Sequence, residues 1–174
     1  MRLKESYWIW GQFCNEDCDY LNNLKSKVQN KLQSPNFNVH ITLAGPYQSV
    51  NKQFIDSMKI FSKSQFSFDL KLNLYDTKID FYQSFYIPVN YSEDLKKLRS
   101  SIYFLKPFLP YENYSPHISL AYGNHLYQDK KELIKVMESP IHSVCMDKVS
   151  LVFVNESEEN WNILESFNFS KNFK

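Results

Sequence analysis

Residues 38–45 read NVHITLAG, and residues 115–123 read SPHISLAYG. The word His-Ile-Thr/Ser-Leu-Ala thus occurs twice, with His40 and His117 standing 77 positions apart in a chain of four histidines. In a β-strand, side chains i and i+2 share a face. His40 and Thr42 therefore point one way, while Val39, Ile41 and Leu43 point the other. His117 and Ser119 likewise share a face, opposed by Ile118 and Leu120. Each word reads as a strand with an apolar underside fixed in a core and an imidazole and a hydroxyl on top.

The repetition extends outward from these words. Leu21-Asn-Asn-Leu-Lys25-Ser-Lys-Val28 matches Leu95-Lys-Lys-Leu-Arg99-Ser-Ser-Ile102. Upstream, Ser6-Tyr-Trp-Ile-Trp10 matches Ser84-Phe-Tyr-Ile-Pro88. Strand, helix and histidine strand recur in order at nearly one spacing. Two copies are too few for a solenoid. They fit a duplicated half folded back about a pseudo-two-fold axis, with the two histidine strands face to face across a cleft.

The surrounding pattern supplies the remaining elements. A strand is expected over Ser6 to Phe13. A helix over Asp17 to Gln33 carries Tyr20, Leu21, Leu24, Val28 and Leu32 at helical spacing. Phe37 to Leu43 is read as a strand. Ser49 is read as the N-cap of a helix bearing Phe54, Ile55, Met58 and Phe61. Phe66 to Leu74 alternates apolar and polar residues as a half-buried strand does, and Asp80 to Val89 reads as another. Ser92 opens a helix with Leu95, Leu98, Ile102 and Leu105, which Pro107 and Pro110 stop. His117 to Tyr122 is a strand, 128 to 138 a helix, and Val149 to Val154 and Trp161 to Phe169 closing strands. No linker or low-complexity tract divides the chain, so one bilobal domain over 1–174 is expected.

Bulk properties narrow the function classes. The 174 residues include 14 Phe and 12 Tyr, a globular composition. Twenty basic residues against 19 acidic give a net charge of +1. That balance argues against a long phosphate-tracking surface and leaves room for a small anion or one RNA end. Cys14, Cys18 and Cys145 form neither a disulfide framework nor a zinc motif. The opening MRLKESYWIW has no long apolar segment, so no signal peptide or membrane span is expected there. A cytoplasmic protein is the expectation.

Two imidazoles and two hydroxyls converging on one space suit a phosphodiester. A neutral imidazole takes a proton from the attacking water or hydroxyl, and a protonated one gives a proton to the leaving oxygen. The Thr42 and Ser119 hydroxyls donate to the non-bridging oxygens, where charge builds up. This scheme requires no metal and no cofactor. A single His-x-Thr is weak, because a lone strand histidine is more often structural. Two copies of the whole word inside a register-matched repeat favour catalysis over a structural role. His125 and His142 are assigned to the surface. The cations Lys25, Lys27, Lys31, Lys96, Lys97 and Arg99 are read as solvated helix faces.

The paired H-x-[ST]-aliphatic words resemble those of the two-histidine (2H) phosphoesterase superfamily. Within it, the sequence is most similar to cyclic phosphodiesterases that open 2′,3′-cyclic nucleotides and ADP-ribose 1″,2″-cyclic phosphate. Tyr7-Trp-Ile-Trp10 resembles the first strand of the plant-type enzymes, which carry a Trp where Trp10 falls. Phe81-Tyr82-Gln83-Ser84-Phe85-Tyr86 resembles their aromatic-Gln strand, and His117-Ile-Ser-Leu-Ala-Tyr122 their H-x-S-L-x-Y. The turn Gly45-Pro46-Tyr47 departs from that pattern.

The resemblance implies an α+β fold, bilobal and duplicated, with two antiparallel sheets walling a central cleft and helices outside. It implies catalysis by His40 and His117 and phosphate binding by Thr42 and Ser119. Trp10 and Tyr82 would line the groove against a base or ribose. Tyr122 reaches the phosphate only if its strand ends or bulges there, since alternation puts it opposite Ser119. The implied substrate is a small nucleotide or short RNA end, and a monomer without an obligatory protein partner is expected. Which histidine is base and which acid stays open. So do a 2′,5′-RNA ligase-like reaction, a cyclic-oligonucleotide or RNA-end phosphodiesterase, and a non-catalytic nucleotide- or RNA-end-binding module.

Overall fold

A computed structural model describes residues 5–102 and 114–170 of the chain. The order of elements is β1 (Ser6–Phe13), α1 (Asn15–Leu32), β2 (Ile41–Tyr47), α2 (Lys52–Lys63), β3 (Phe68–Lys71), β4 (Phe85–Pro88), α3 (Glu93–Ile102), β5 (His117–Ala121), α4 (Tyr127–Val136), β6 (Ser143–Val154) and β7 (Asn162–Asn168). Leu105, Pro107 and Pro110, expected at the end of α3, lie outside the described residues.

The sheet is antiparallel throughout, in the order β3-β6-β1-β2-β5-β4, with β7 on β6. The two expected sheets are its two lobes, joined at one residue pair, Ile41 with Ile118. Those isoleucines hold the same place in the two words. Pairing of a residue with its own repeat equivalent in antiparallel register is what a two-fold axis between the halves requires. The histidine strands are therefore hydrogen-bonded neighbours, and the expected face-to-face placement is corrected. A cleft opens over the face that both strands present.

The helices exchange partners across this junction. α1, from the first copy, packs on β5, and α3, from the second, packs on β2. Leu21, Leu24, Val28 and Leu32 of α1 join Leu95, Leu98 and Ile102 of α3 in one core with Ile9, Ile41, Leu43, Ile87, Ile118 and Leu120. The opposite face of β1 carries Trp8 and Trp10, which pack with Val152, Val154 and Trp161 in a separate cluster. Alternation along β1 thus assigns its isoleucine to the helices and its tryptophans to the cleft side.

Several boundaries differ from the sequence expectation for local reasons. β2 starts at Ile41, because Phe37 to His40 has no ladder partner among the described residues. The cap of α2 is Asn51, whose side chain accepts from the Phe54 amide at 2.9 Å, and not Ser49. β3 is four residues long, and the outer members of the alternating run, Phe66 and Leu74, are exposed. β4 starts at Phe85, since the Asp80 carboxylate accepts from the Tyr82 and Gln83 amides and bends 80–84 into a turn. β6 starts six residues before Val149.

Candidate active site

Both histidines sit where a strand begins. His40 immediately precedes β2, and His117 is the first residue of β5. Continuing the Ile41–Ile118 register one residue each way sets His40 opposite Ser119 and Thr42 opposite His117. Opposed side chains on an antiparallel pair stand about 4.5–5.5 Å apart at Cβ. The imidazoles thus take one diagonal of a four-cornered site and the hydroxyls the other.

The two rings are held in the same way. Nδ1 of His40 donates to the Asn38 carbonyl at 2.6 Å, and Nδ1 of His117 donates to the Ser115 carbonyl at 2.8 Å. A carbonyl only accepts, so Nδ1 carries the proton in both rings and Nε2 is the position that exchanges one. Gln83 Nε2 lies 3.4 Å from the same Nδ1 of His117. That contact is long and needs the other tautomer, so the carbonyl bond decides.

The surroundings of the rings differ. His40 is 6% exposed, and the Trp10 ring covers it at a centroid distance of 3.5 Å and an angle of 4°. Burial pushes its pKa down to about 3; the Asn38 carbonyl opposes this, while charges on His117 and Lys25 add to it. His117 is in edge contact with Tyr86 at 5.4 Å. Burial also lowers its pKa, with the Ser115 carbonyl and Asp80 favouring the charged form and Lys78 opposing it.

All seven residues singled out in the sequence, His40, His117, Thr42, Ser119, Tyr122, Trp10 and Tyr82, line one cleft of about 460 Å³. That volume falls in the usual range for small-molecule sites. Ser119 Oγ donates to the Tyr82 carbonyl at 2.9 Å. Tyr122 reaches the cleft because β5 ends at Ala121 and its register with β4 shifts between Ser119 and Ala121. Burial raises the phenol's pKa, and a hydrogen bond with Ser119 works the other way. Trp10 is only 2% exposed and has one face under His40, so it is placed to hold an imidazole. The more open aromatic pair is Tyr82 and Trp161, stacked at 6.0 Å and 29°.

Sequence reasoning missed part of this wall. Trp161 opens the last expected strand, with nothing in that pattern to place its ring in the cleft. Trp8 lines the cleft two positions before Trp10, as strand periodicity allows. Lys78 and Asp80 come from the turn before β4. Arg99, read as solvated, is buried and lines the cleft, and Lys25 is buried too. His125, assigned to the surface, is half-buried and hydrogen-bonded to Ser84 Oγ at 2.8 Å, whereas His142 is exposed.

Comparison with solved structures places this geometry. E. coli LigT complexed with 3′-AMP superposes with a TM-score of 0.62 at 12% identity, covering 97% of this chain and 99% of that one. A protein described as a phosphoesterase superposes at 0.61 and 13%, with 97% and 99% covered. The Thermus thermophilus protein TT0787 gives 0.59 and 12%, with 96% and 99% covered.

The chain has the LigT fold.

E. coli LigT structures also hold phosphate, ATP and NADP+. No protein-family model and no curated protein sequence matches this chain. The likeness to the LigT fold is therefore carried by architecture. Among the described residues, no helix is long and apolar enough to cross a membrane.

Proposed function

We propose that this cleft hydrolyses a cyclic phosphodiester of a nucleotide, a 2′,3′-cyclic nucleotide or ADP-ribose 1″,2″-cyclic phosphate, by acid–base catalysis between His40 and His117. The observation that carries this reading is the matched pair of rings. Each has Nδ1 committed to a backbone carbonyl two residues earlier, and both line one cleft. The LigT fold, in which E. coli LigT holds 3′-AMP and phosphate, supports a nucleotide phosphate as the ligand.

His40 is the base, because burial keeps its imidazole neutral across the working range. Its Nε2 takes a proton from water as the water oxygen bonds to phosphorus. The bond from phosphorus to the ribose oxygen breaks, and Nε2–H of His117 passes its proton to that oxygen. One water is consumed and one phosphomonoester is formed. Proton exchange with solvent then resets both rings. Thr42 and Tyr122 donate to the non-bridging oxygens, joined by Ser119 when it turns from the Tyr82 carbonyl. Tyr82 and Trp161 stack on the base.

The same four motif side chains serve a 2′,5′-RNA ligase-like reaction, in which a ribose hydroxyl takes the place of water. A substrate panel separates the readings. Cyclic mononucleotides, ADP-ribose cyclic phosphate, 2′,5′-linked RNA and cyclic dinucleotides are incubated with the protein in excess EDTA. Phosphorus NMR should show a cyclic mononucleotide or ADP-ribose cyclic phosphate converted to its monoester. Turnover of 2′,5′-linked RNA alone would select the ligase-like reaction, and binding without turnover would select a recognition module.

A further inference from the structure

Lys25 and Arg99 hold the same place in the two repeats, in Leu21-x-x-Leu24-Lys25-Ser26 and Leu95-x-x-Leu98-Arg99-Ser100. Both belong to surface helices, and both are only 5% exposed. A buried cation is costly unless it is hydrogen-bonded. Lys25 Nζ donates to the Phe37 carbonyl and, at 3.2 Å, to Asn36 Oδ1. Arg99 Nε donates to the Leu43 carbonyl at 3.0 Å, and Nη1 to the Tyr91 hydroxyl at 3.2 Å.

Each cation also lies over an aromatic ring. Lys25 Nζ is 5.1 Å from the Phe37 centroid, and the Arg99 guanidinium carbon is 3.4 Å from that of Tyr114. Phe37 precedes His40 by three residues, and Tyr114 precedes His117 by three. Each ring then touches a cleft residue of the other half. Phe37 stacks on Tyr122 at 3.8 Å and 19°, and the Tyr114 hydroxyl donates to the Thr42 carbonyl at 2.8 Å. A helix cation, an aromatic three places before the histidine and a contact across the two-fold axis therefore occur twice. Duplication alone keeps residues in place; here the cation-over-ring contact is kept although Lys has become Arg and Phe has become Tyr, while the bonded carbonyl differs, Phe37 for Lys25 and Leu43 of the other half for Arg99.

We propose that Lys25 and Arg99 are paired positioning residues, each clamping through Phe37 or Tyr114 the segment that presents one catalytic histidine. The proposal rests on the two-histidine reading for its kinetic consequence and on the structure alone for its effect on the rings. Lys25 does not line the cleft; Arg99 does, with Nε on the Leu43 carbonyl and Nη1 on the Tyr91 hydroxyl. Both stems are buried; the Lys25 head bonds a carbonyl of the segment before His40, and the Arg99 head holds the Tyr114 ring while anchored on the Leu43 carbonyl of β2.

The test compares Lys25→Met, Lys25→Arg, Arg99→Met and Arg99→Lys with the unaltered protein. Histidine ring signals are recorded by nitrogen-correlated NMR on the folded protein. kcat and KM are measured on a 2′,3′-cyclic nucleotide. Lys25→Met should displace or broaden the His40 ring signals, and Arg99→Met those of His117, leaving His142 unchanged. kcat should fall by up to about 10²-fold, the usual cost of a displaced catalytic group, with KM within about threefold. Lys25→Arg and Arg99→Lys should recover most of kcat. The proposal is overturned if folded methionine variants keep native ring signals and native kcat. It is also overturned if kcat falls only in proportion to the unfolded fraction, or if the conservative variants behave like the methionine ones. Absence of turnover in the unaltered protein would remove the proposed reaction, and the ring signals would still decide the clamp.

Discussion

Ile41 pairs with Ile118, the residue that holds its own place in the second copy of the motif. From that one pair the site follows. Antiparallel register about it sets each histidine opposite the hydroxyl of the other half, and the apolar undersides meet in the shared core. A one-residue slip in either strand would turn its imidazole into the core.

Removing either ring should cost the acid–base contribution of one group. His40→Ala and His117→Ala should each lower kcat by about 10²–10⁴-fold. The double variant should be little worse than the poorer single one, because groups that act as a unit are non-additive. Steady-state kinetics on a 2′,3′-cyclic nucleotide checks this. Two independent losses that multiply would separate the histidines.

The pH profile has a direction. In the proposed reaction His40 acts without its proton, the form present above its pKa of about 3. His117 in that proposal acts with its proton, the form lost as pH rises through a pKa below the ordinary 6.5. The profile of kcat/KM should therefore be a bell whose maximum lies on the acid side of neutrality. A rate still rising through pH 9 would exclude this pair.

Stability should fall with acid for the same reason. A histidine held neutral in the fold takes up a proton on unfolding, so the loss sets in as pH drops below 6.5. At pH 5 the His40 contribution comes to about 2 kcal/mol. Urea unfolding at pH 5 and pH 7.5 should show a difference smaller by about that amount in His40→Gln. An equal pH dependence in both proteins would mean that His40 is not held neutral.

Thr42 and Ser119 should separate in stability. No bond to the fold is needed for Thr42 to face the cleft, so Thr42→Ala should lower kcat and leave stability within about 0.5 kcal/mol. Ser119→Ala leaves the Tyr82 carbonyl without its donor, which should cost about 1–3 kcal/mol besides kcat. Thermal unfolding of the two variants gives the comparison. Equal stability would place the Ser119 bond outside the folded state's energetics.

The sequence carried the core of the site because its signals are periodic and repeated. His40, Thr42, His117 and Ser119 are legible from alternation, and the duplication explains why they meet. What escaped it depends on contacts that periodicity does not encode. Lys25 and Arg99 look solvated on a helical wheel, yet each is buried by carbonyls and rings from distant segments. Trp10 reads as a stacking platform, and only the fold shows His40 covering it. The turn at Asp80 competed with a strand-like run through side-chain bonds to two amides, which shortened β4. The first half of β6, SVCMDK, has too little apolar alternation to be seen; pairing with β3 over Ser143 to Met146 and with β1 from Met146 onward forms it.

Trp10 gives a further expectation from that correction. Trp10→Leu removes the ring that covers His40 and should lower kcat by about 10- to 10²-fold, with less change in KM. Tyr82→Leu should act mainly on KM, since its ring is placed beside Trp161. The reverse pattern would return Trp10 to substrate stacking.

The central claim is that two imidazoles reach one phosphate. Titration of the protein with inorganic phosphate and then 3′-AMP, followed through the histidine ring signals, tests it most directly. The His40 and His117 signals should move together with a single dissociation constant for each ligand, while His142 stays still. Movement of only one ring, or separate constants for the two, would contradict the account.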